Sequence, residues 1–552
     1  MQEPVLEKAG KKAILLGNQA IVRGALEAGV QFVSTYPGTP ASDIGDTFYK
    51  LQAKIRKLKS DFYFEYSVNE KVALEAAMGA SFSGLKCLVA MKDFGLNVCS
   101  DSLIPFVYMG SKGPTVIVVG DDPSCYSSAQ SEQNSRWYSF LANIPTLEPS
   151  DPQDCKDFTK LAFEISEKFK IPVMIRTTTR VAHQRAVVRL EKLSTRPGPV
   201  GKFAKSPKNF ITMPPRVLEM KKELFEKLEK IIKFSEKSKI NSIKNHSPST
   251  TDHSLGIITS GVSYLYVMEA LKELNVDLPV LKLGFFYPLP EKLIIDFIQK
   301  LDKVLVVEEL ELCLEGQIQR LSKYFNPKLE IFGKILLPKV GELNQDLISA
   351  ALNKILYNKS YSLNSKFKIP ISKRSPKFCT GCPYWLVFSA IKRALSESKI
   401  KKEDVVFGGD IGCYMLAGIS SVGLQDYLCC MGSSIGIGHG VRKTTNQKLI
   451  AFIGDSTFFH AGIPALINTV FNKSNPLIII LENLTTAMTG HQPHPGNVIK
   501  IEDIVRACGV RHLKTIDPVN QKEMIKTVKD FLGKKEVTVI ISKSPCKFVK
   551  KS

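Results

Sequence analysis

With 552 residues, 44% of them hydrophobic, the chain can bury several cores, and at about 150 residues per domain three or four domains are expected. Its 75 basic against 53 acidic side chains leave a net charge of +22, but the excess is lysine scattered along the chain with few aromatics interleaved. That pattern fits a solvated surface or an acidic protein partner and argues against a nucleic-acid groove. No stretch approaches the roughly 18 apolar residues of a spanning helix, and the N-terminal segment mixes charges of both signs, so a cytoplasmic protein without membrane contact is expected. Twelve cysteines in that compartment do not read as a disulfide framework, which leaves some free to be ligands.

In chain order, short apolar runs at 13–16, 32–35, 88–91, 115–119 and 173–175 alternate with helical patterns at 19–28 and 70–84. This predicts an α/β, doubly wound first domain over 1–196. Tyr36-Pro37-Gly38-Thr39-Pro40 directly follows a strand, and reads either as a plain tight turn or as one presenting the Thr39 hydroxyl at a cleft. Glu70, three residues after Ser67, reads as the glutamate of a capping box opening a helix with a small-residue face. Asp121-Asp122-Pro123-Ser124 and the polar run after it suggest a loop over the same cleft.

Residues 197–253 change character, with a Lys/Glu-rich amphipathic helix over 214–239 and then a polar stretch over 241–252, and are expected to be a linker. A smaller α/β unit follows over 254–360, with strands at 256–259, 280–283 and 303–307. Glu308, Glu309 and Glu311 after the last of these are expected to form a solvated acidic loop. The last domain, 370–552, holds Cys379-Thr380-Gly381-Cys382-Pro383, Gly409-Asp410-Ile411-Gly412-Cys413, a glycine-rich run over 431–440, and the stretch 448–496.

That stretch carries the strongest signal. An apolar run ends at Gly454-Asp455-Ser456, a helical pattern follows to about residue 471, and a second apolar run ends at Glu482-Asn483. A strand, helix and parallel strand of this kind set a carboxylate and an amide at neighbouring strand ends, where open parallel sheets bind ligands. Carboxylate and amide oxygens are hard ligands suited to Mg²⁺ beside a diphosphate, and the unit has the shape of a thiamine diphosphate motif. The structural alternative is an Asp capping its helix and an Asn in a turn.

The run GDSTFFHAGIPALINTVFNKSNPLIIILENLTTAMTGHQPHPG, together with STYPGTPASDIGD, EYSVNEKVALEAAMGASFSGLKCLVAMKDFGLNV, CTGCP, DIGCYMLA and CMGSSIGIGHG, resembles the large subunits of indolepyruvate ferredoxin oxidoreductase. These belong to the thiamine diphosphate-dependent 2-oxoacid:ferredoxin oxidoreductases. The resemblance implies two doubly wound thiamine diphosphate domains with a transketolase C-terminal-like domain between them.

It also implies roles. Glu70 would hydrogen-bond and activate the cofactor's aminopyrimidine ring, and Thr39 would sit on the substrate side. Asp455, Asn483 and the carbonyl of Thr485 would bind Mg²⁺. Gly454, Ser456, Gly432, Ser433 and Gly412 would line the cofactor. His460 and His491 are the histidines to test first among four along these motifs, His439 and His494 being the others. Cys379, Cys382, Cys413 and Cys546 match the ligands of one 4Fe-4S cluster. The family's further ferredoxin-like domain is not matched after Cys546, so a separate ferredoxin-like carrier is expected, along with a small beta subunit. The implied reaction is oxidative decarboxylation of aryl 2-oxo acids, indole-3-pyruvate above all, with coenzyme A. A non-redox thiamine diphosphate decarboxylase is the alternative.

Overall fold

A computed structural model describes residues 3–55, 61–194, 200–244, 255–358, 377–418 and 421–549. The chain divides into two compact units, Met1–Ile371 and Ser372–Ser552. The expected domain boundaries at 196, 253, 360 and 370, and the polar stretch from 245 on, lie outside the described residues.

In the first unit the strands are β1 (Lys12–Leu16), β2 (Phe32–Thr35), β3 (Tyr63–Tyr66), β4 (Cys87–Lys92), β5 (Thr115–Asp121), β6 (Thr146–Leu147), β7 (Val173–Thr178) and β8 (Arg185–Arg189). They are followed by β9 (Ser242–Lys244), β10 (Leu255–Ser260), β11 (Val280–Leu283), β12 (Phe285–Tyr287), β13 (Lys303–Val307) and β14 (Glu330–Phe332). A seven-stranded sheet runs β12-β6-β7-β5-β4-β2-β3, parallel except where β12 meets β6. β4, β5 and β7 are buried along their whole length, as strands covered on both faces must be, which is why their sequences read as unbroken apolar runs.

Three expectations change here. The run at 13–16 is a strand, but it pairs antiparallel with β8 in a separate two-stranded sheet. Its burial alternates and leaves Ile14 exposed, the pattern of an edge ribbon and not of a central strand. The amphipathic helix, observed as Arg216–Ser235, is packed against the first sheet's core through Leu224, Leu228 and Ile231. β12, from the smaller α/β region, crosses into the first sheet, so the two regions share a sheet as well as a chain. The smaller region's own sheet runs β14-β13-β10-β11-β9.

Glu308 and Glu309 do not form a solvated loop: both are buried at the end of β13. Arg136, also fully buried, donates from Nε and Nη2 to the two carboxylate oxygens of Glu148 (2.7 and 2.6 Å) and from Nη1 to Glu308 (3.0 Å). Arg176 donates to Asp121 at 2.7 Å, and Ser260 donates to Glu148 at 2.8 Å. Burial alone would neutralise such groups, so the acids are tolerable inside only because this network compensates them. Glu148 is held below the usual carboxylate range despite its burial, because Arg136 and Arg176 outweigh desolvation. Glu309 has weaker compensation, and burial pushes it up to about 7.

The second unit carries β15 (Val405–Gly408), β16 (Lys448–Gly454), β17 (Leu477–Glu482), β18 (His512–Ile516) and β19 (Thr538–Lys543) in the parallel order β15-β16-β17-β19-β18. Gly454 pairs with Leu481, so Asp455 and Asn483 emerge at adjacent carboxyl ends, as the alternation of apolar runs requires.

Candidate functional sites

In the second unit the Asp455 carboxylate is fixed from several sides. Its Oδ1 accepts from Ser456 N (2.8 Å), and its Oδ2 accepts from Asn483 N (2.9 Å) and Leu484 N (2.8 Å). Three backbone N–H groups thus hold one buried acid at the head of the segment Asp455–Thr457. The helical pattern beyond it is broken by a π-helical turn, Phe458–Gly462, before Ile463–Phe471; His460 is buried on that turn.

Asn483 is buried beside it. Thr485 N donates to Asn483 Oδ1 at 3.0 Å, and Asn483 Nδ2 donates to the Tyr384 hydroxyl at 2.8 Å. The Ser456 hydroxyl pairs with that of Thr486 at 3.2 Å. His494 Nε2 lies 3.2 Å from Asp455 Oδ2, off the line of a hydrogen bond, while its Nδ1 accepts from Gly496 N at 3.1 Å. His494 is therefore the histidine on the carboxylate, whereas His491 is exposed on the loop before it and His439 is only half-buried. Its signal in the sequence was the His-Pro-Gly turn, which gives no hint of a partner 39 residues earlier.

The glycines are explained by close approach. A Cβ on Gly454 would come 2.9 Å from the Tyr414 ring and one on Gly412 2.4 Å, so the Tyr414 side chain occupies the space that these two glycines leave. Gly432 adopts a left-handed conformation (φ 87°), and a Cβ there would meet Ala461 at 2.8 Å. Asp410, buried and pushed up to about 6 by desolvation, accepts from Gly432 N and Ser434 N at 2.9 Å each and so shapes the glycine-rich turn. Ser433 turns away to donate to Cys430 O at 2.6 Å. The donors fit a divalent cation: a preorganised carboxylate and an amide oxygen, both hard, at neighbouring strand ends.

The four cysteines gather beside this site. Cys546 N donates to Asn483 O at 3.1 Å, and Cys382 N donates to Cys379 O at 3.0 Å. Burial, then the nearness of Cys382, Cys546 and Cys379, pushes the Cys413 thiol up to about 11. Four thiols suit an iron-sulfur cluster by their chemistry, while among the described residues no three Cys, His, Asp or Glu side chains meet as a metal site.

In the first unit Glu70 is buried at the first turn of the helix Glu70–Phe82. The capping-box expectation fails: Asn69 is the N-cap, accepting from Val72 N at 2.9 Å, and the Ser67 hydroxyl donates to Glu65 instead at 2.6 Å. Asn69, in extended backbone directly before the helix and two residues nearer than Ser67, takes the cap. Gly95 makes room for Glu70, since a Cβ there would stand 2.7 Å from Glu70 Cγ.

Thr39 lies half-buried in its turn, whose Thr39–Pro40 bond is cis. Its carbonyl accepts from Lys92 Nζ at 2.7 Å and from the Ser127 hydroxyl at 3.2 Å, which ties the turn to the loop after β5. Asp122 in that loop accepts from Ser127, Ser128 and Thr179. Asp93, next to Lys92, is pushed up to about 8, by burial first and then by Asp121. Sequence patterns marked Thr39 and the Asp121–Asp122 pair but gave no reason to connect either with Lys92.

The family described as pyruvate flavodoxin/ferredoxin oxidoreductase, thiamine diphosphate-binding, matches residues 23–240. The indolepyruvate oxidoreductase domain matches 246–365, and the C-terminal thiamine pyrophosphate-binding domain of thiamine pyrophosphate enzymes matches 410–542. The chain is 42% identical over 550 residues to the indolepyruvate oxidoreductase subunit IorA of Methanothermobacter marburgensis, covering 97% of this chain and 87% of that protein. It is 40% identical over 565 residues to the IorA subunit of Archaeoglobus fulgidus (99% and 88% covered) and 40% identical over 575 residues to that of Pyrococcus horikoshii (98% and 86%). Among the described residues no helix is long and apolar enough to cross a membrane.

Proposed function

The chain belongs to the family of indolepyruvate oxidoreductase large (alpha) subunits, IorA, and from that premise we propose that it oxidatively decarboxylates indole-3-pyruvate. Coenzyme A takes the acyl group to give indoleacetyl-CoA, carbon dioxide leaves, and two electrons pass to ferredoxin. The observation that carries the reading is the Asp455–Asn483 pair at adjacent strand ends, set by three backbone N–H groups, within the segment matched as a thiamine pyrophosphate-binding domain.

Bound thiamine diphosphate supplies the carbon nucleophile and the electron sink of the reaction. The chain's residues do the rest. Asp455, Asn483 and the Thr485 carbonyl hold Mg²⁺, with Gly454, Ser456, Gly432, Ser433, Gly412, His460 and His491 as the cofactor-side residues. Glu70 exchanges a proton with the aminopyrimidine ring, a role for which burial beside a small-residue face is apt. Thr39 orients the 2-oxo acid with its hydroxyl. Cys379, Cys382, Cys413 and Cys546 would hold one 4Fe-4S cluster, whose chemistry is one-electron transfer. Partners are a small beta subunit, as the relatives' designation as subunits suggests, and a separate ferredoxin-like carrier drawn to a chain of net charge +22.

The test is anaerobic reconstitution with the small subunit, followed by coenzyme A-dependent viologen reduction with indolepyruvate, phenylpyruvate, pyruvate and 2-oxoglutarate. Highest kcat/KM is expected for indolepyruvate, then phenylpyruvate. A preference for pyruvate or 2-oxoglutarate would overturn the substrate assignment.

A further inference from the structure

Tyr384 lies between the two sites of the second unit and belongs to neither set of expected ligands. It follows Cys382-Pro383 directly and opens the helix Tyr384–Glu397, and its ring is buried. Its hydroxyl receives the Asn483 amide at 2.8 Å. The direction of that bond is fixed by the neighbouring one. Thr485 N can only donate, so the Asn483 atom it meets at 3.0 Å is the oxygen, and the atom facing Tyr384 is the NH₂. Tyr384 thus accepts, and the carbonyl end of the amide is turned away from the ring with one lone pair left over.

Two further links run the same way. Cys546 N donates to Asn483 O at 3.1 Å, at the end of a segment whose Ser544 N donates to Glu482 O at 3.0 Å. Tyr414, next to Cys413, packs its ring over Gly454, and the rings of Tyr384 and Tyr414 lie 6.2 Å apart with planes at 75°. Three of the four cysteines are therefore joined, directly or through a tyrosine one or two residues on, to Asn483 or to Gly454, the residue before Asp455. A side-chain amide is free to rotate about its last bond, so as a metal ligand it needs an orienting partner of this kind.

We propose that Tyr384 is a positioning residue that locks the Asn483 amide with its oxygen toward the metal, and through this bond links occupancy of the metal site to the CxxC segment. The proposal rests on the reading of Asp455 and Asn483 as Mg²⁺ ligands and of the cysteines as cluster ligands. Y384F keeps the ring and its packing and removes only the acceptor, so the Asn483 NH₂ loses its partner.

The experiment uses the anaerobically reconstituted two-subunit complex. Mg²⁺ is titrated at saturating thiamine diphosphate, and the EPR signal of the dithionite-reduced cluster is recorded with and without the magnesium-cofactor pair. In the wild type that signal is expected to shift when the pair is added. Y384F is expected to bind Mg²⁺ about 10- to 100-fold more weakly and to lose the shift at full occupancy, with its cluster still loaded. Unchanged Mg²⁺ affinity, a shift retained in full, or a wild-type signal indifferent to the cofactor overturns the proposal. A wild type that loads neither iron nor thiamine diphosphate overturns the underlying reading with it, and the wild-type arm alone separates that failure from the others.

Discussion

Asp455 and Glu70 are both buried acids at the start of a helical segment that follows a strand, yet what lies beside them differs. Asp455 is fixed by donors: three backbone N–H groups and a nearby imidazole leave its carboxylate one orientation. Glu70 has clearance beside its chain. Its helix is capped by a different residue, Asn69, and the absence of a side chain at Gly95 gives its methylene a place to lie. The first arrangement suits the proposed metal ligand, which has to stay still, and the second leaves the proposed cofactor-activating carboxyl room beside its chain.

Substitutions can break that contrast. D455A is expected to abolish both Mg²⁺-dependent thiamine diphosphate binding and turnover, read by calorimetry and viologen reduction, since it removes the proposed metal ligand and leaves three N–H groups unanswered. E70Q is expected to bind the cofactor with near wild-type affinity while kcat falls by about 10²- to 10⁴-fold, the usual worth of a positioned proton donor or acceptor. Similar losses of binding in both variants would erase the distinction. G95A sharpens it: the added methyl would press on Glu70 Cγ and on Met91, and a misplacement of about 1 Å is expected to lower kcat by up to about 10²-fold with cofactor affinity kept.

The smallest expected effect concerns charge in the first unit away from either acid. Glu309 titrates near pH 7 in the folded chain, raised from 4.5 by burial, so the folded state holds its proton more tightly than the unfolded one. Its contribution to stability is complete below about pH 4.5 and is lost as pH rises through about 7. E309Q should therefore flatten the fall in melting temperature of the first unit between pH 5 and 8. A wild-type slope in the variant would show that Glu309 does not carry it.

The parts of the fold legible in the sequence were those whose burial is two-sided. Apart from Lys448 at the start of one and Glu482 at the end of the other, β16 and β17 are apolar and buried, and the polar residues that bound the apolar runs mark the strand ends. β6 and β12 are two and three residues long, and nothing local in Phe285–Tyr287 says that it joins the first sheet. Glu308 was misread for a related reason: its partner Arg136 stands 172 residues earlier, and without that partner an acidic triplet at a strand end is sensibly placed in water. At the candidate site, Asp455 and Asn483 could be found because strand ends are predictable. Tyr384, His494 and Asp410 could not, because each acts through a contact across the fold: Tyr384 with Asn483 99 residues on, and Asp410 with the glycine-rich turn 22 to 24 residues on.

The most direct test of the account is the identity of the product and its electron yield. Indole-3-pyruvate, coenzyme A and oxidised viologen would be given to the reconstituted complex without oxygen, and the products resolved by mass spectrometry. The account predicts indoleacetyl-CoA with about two viologens reduced for each molecule formed, since viologen takes one electron at a time and the oxidation releases a pair. Indoleacetaldehyde released with no viologen reduced would contradict it and establish a non-redox decarboxylase.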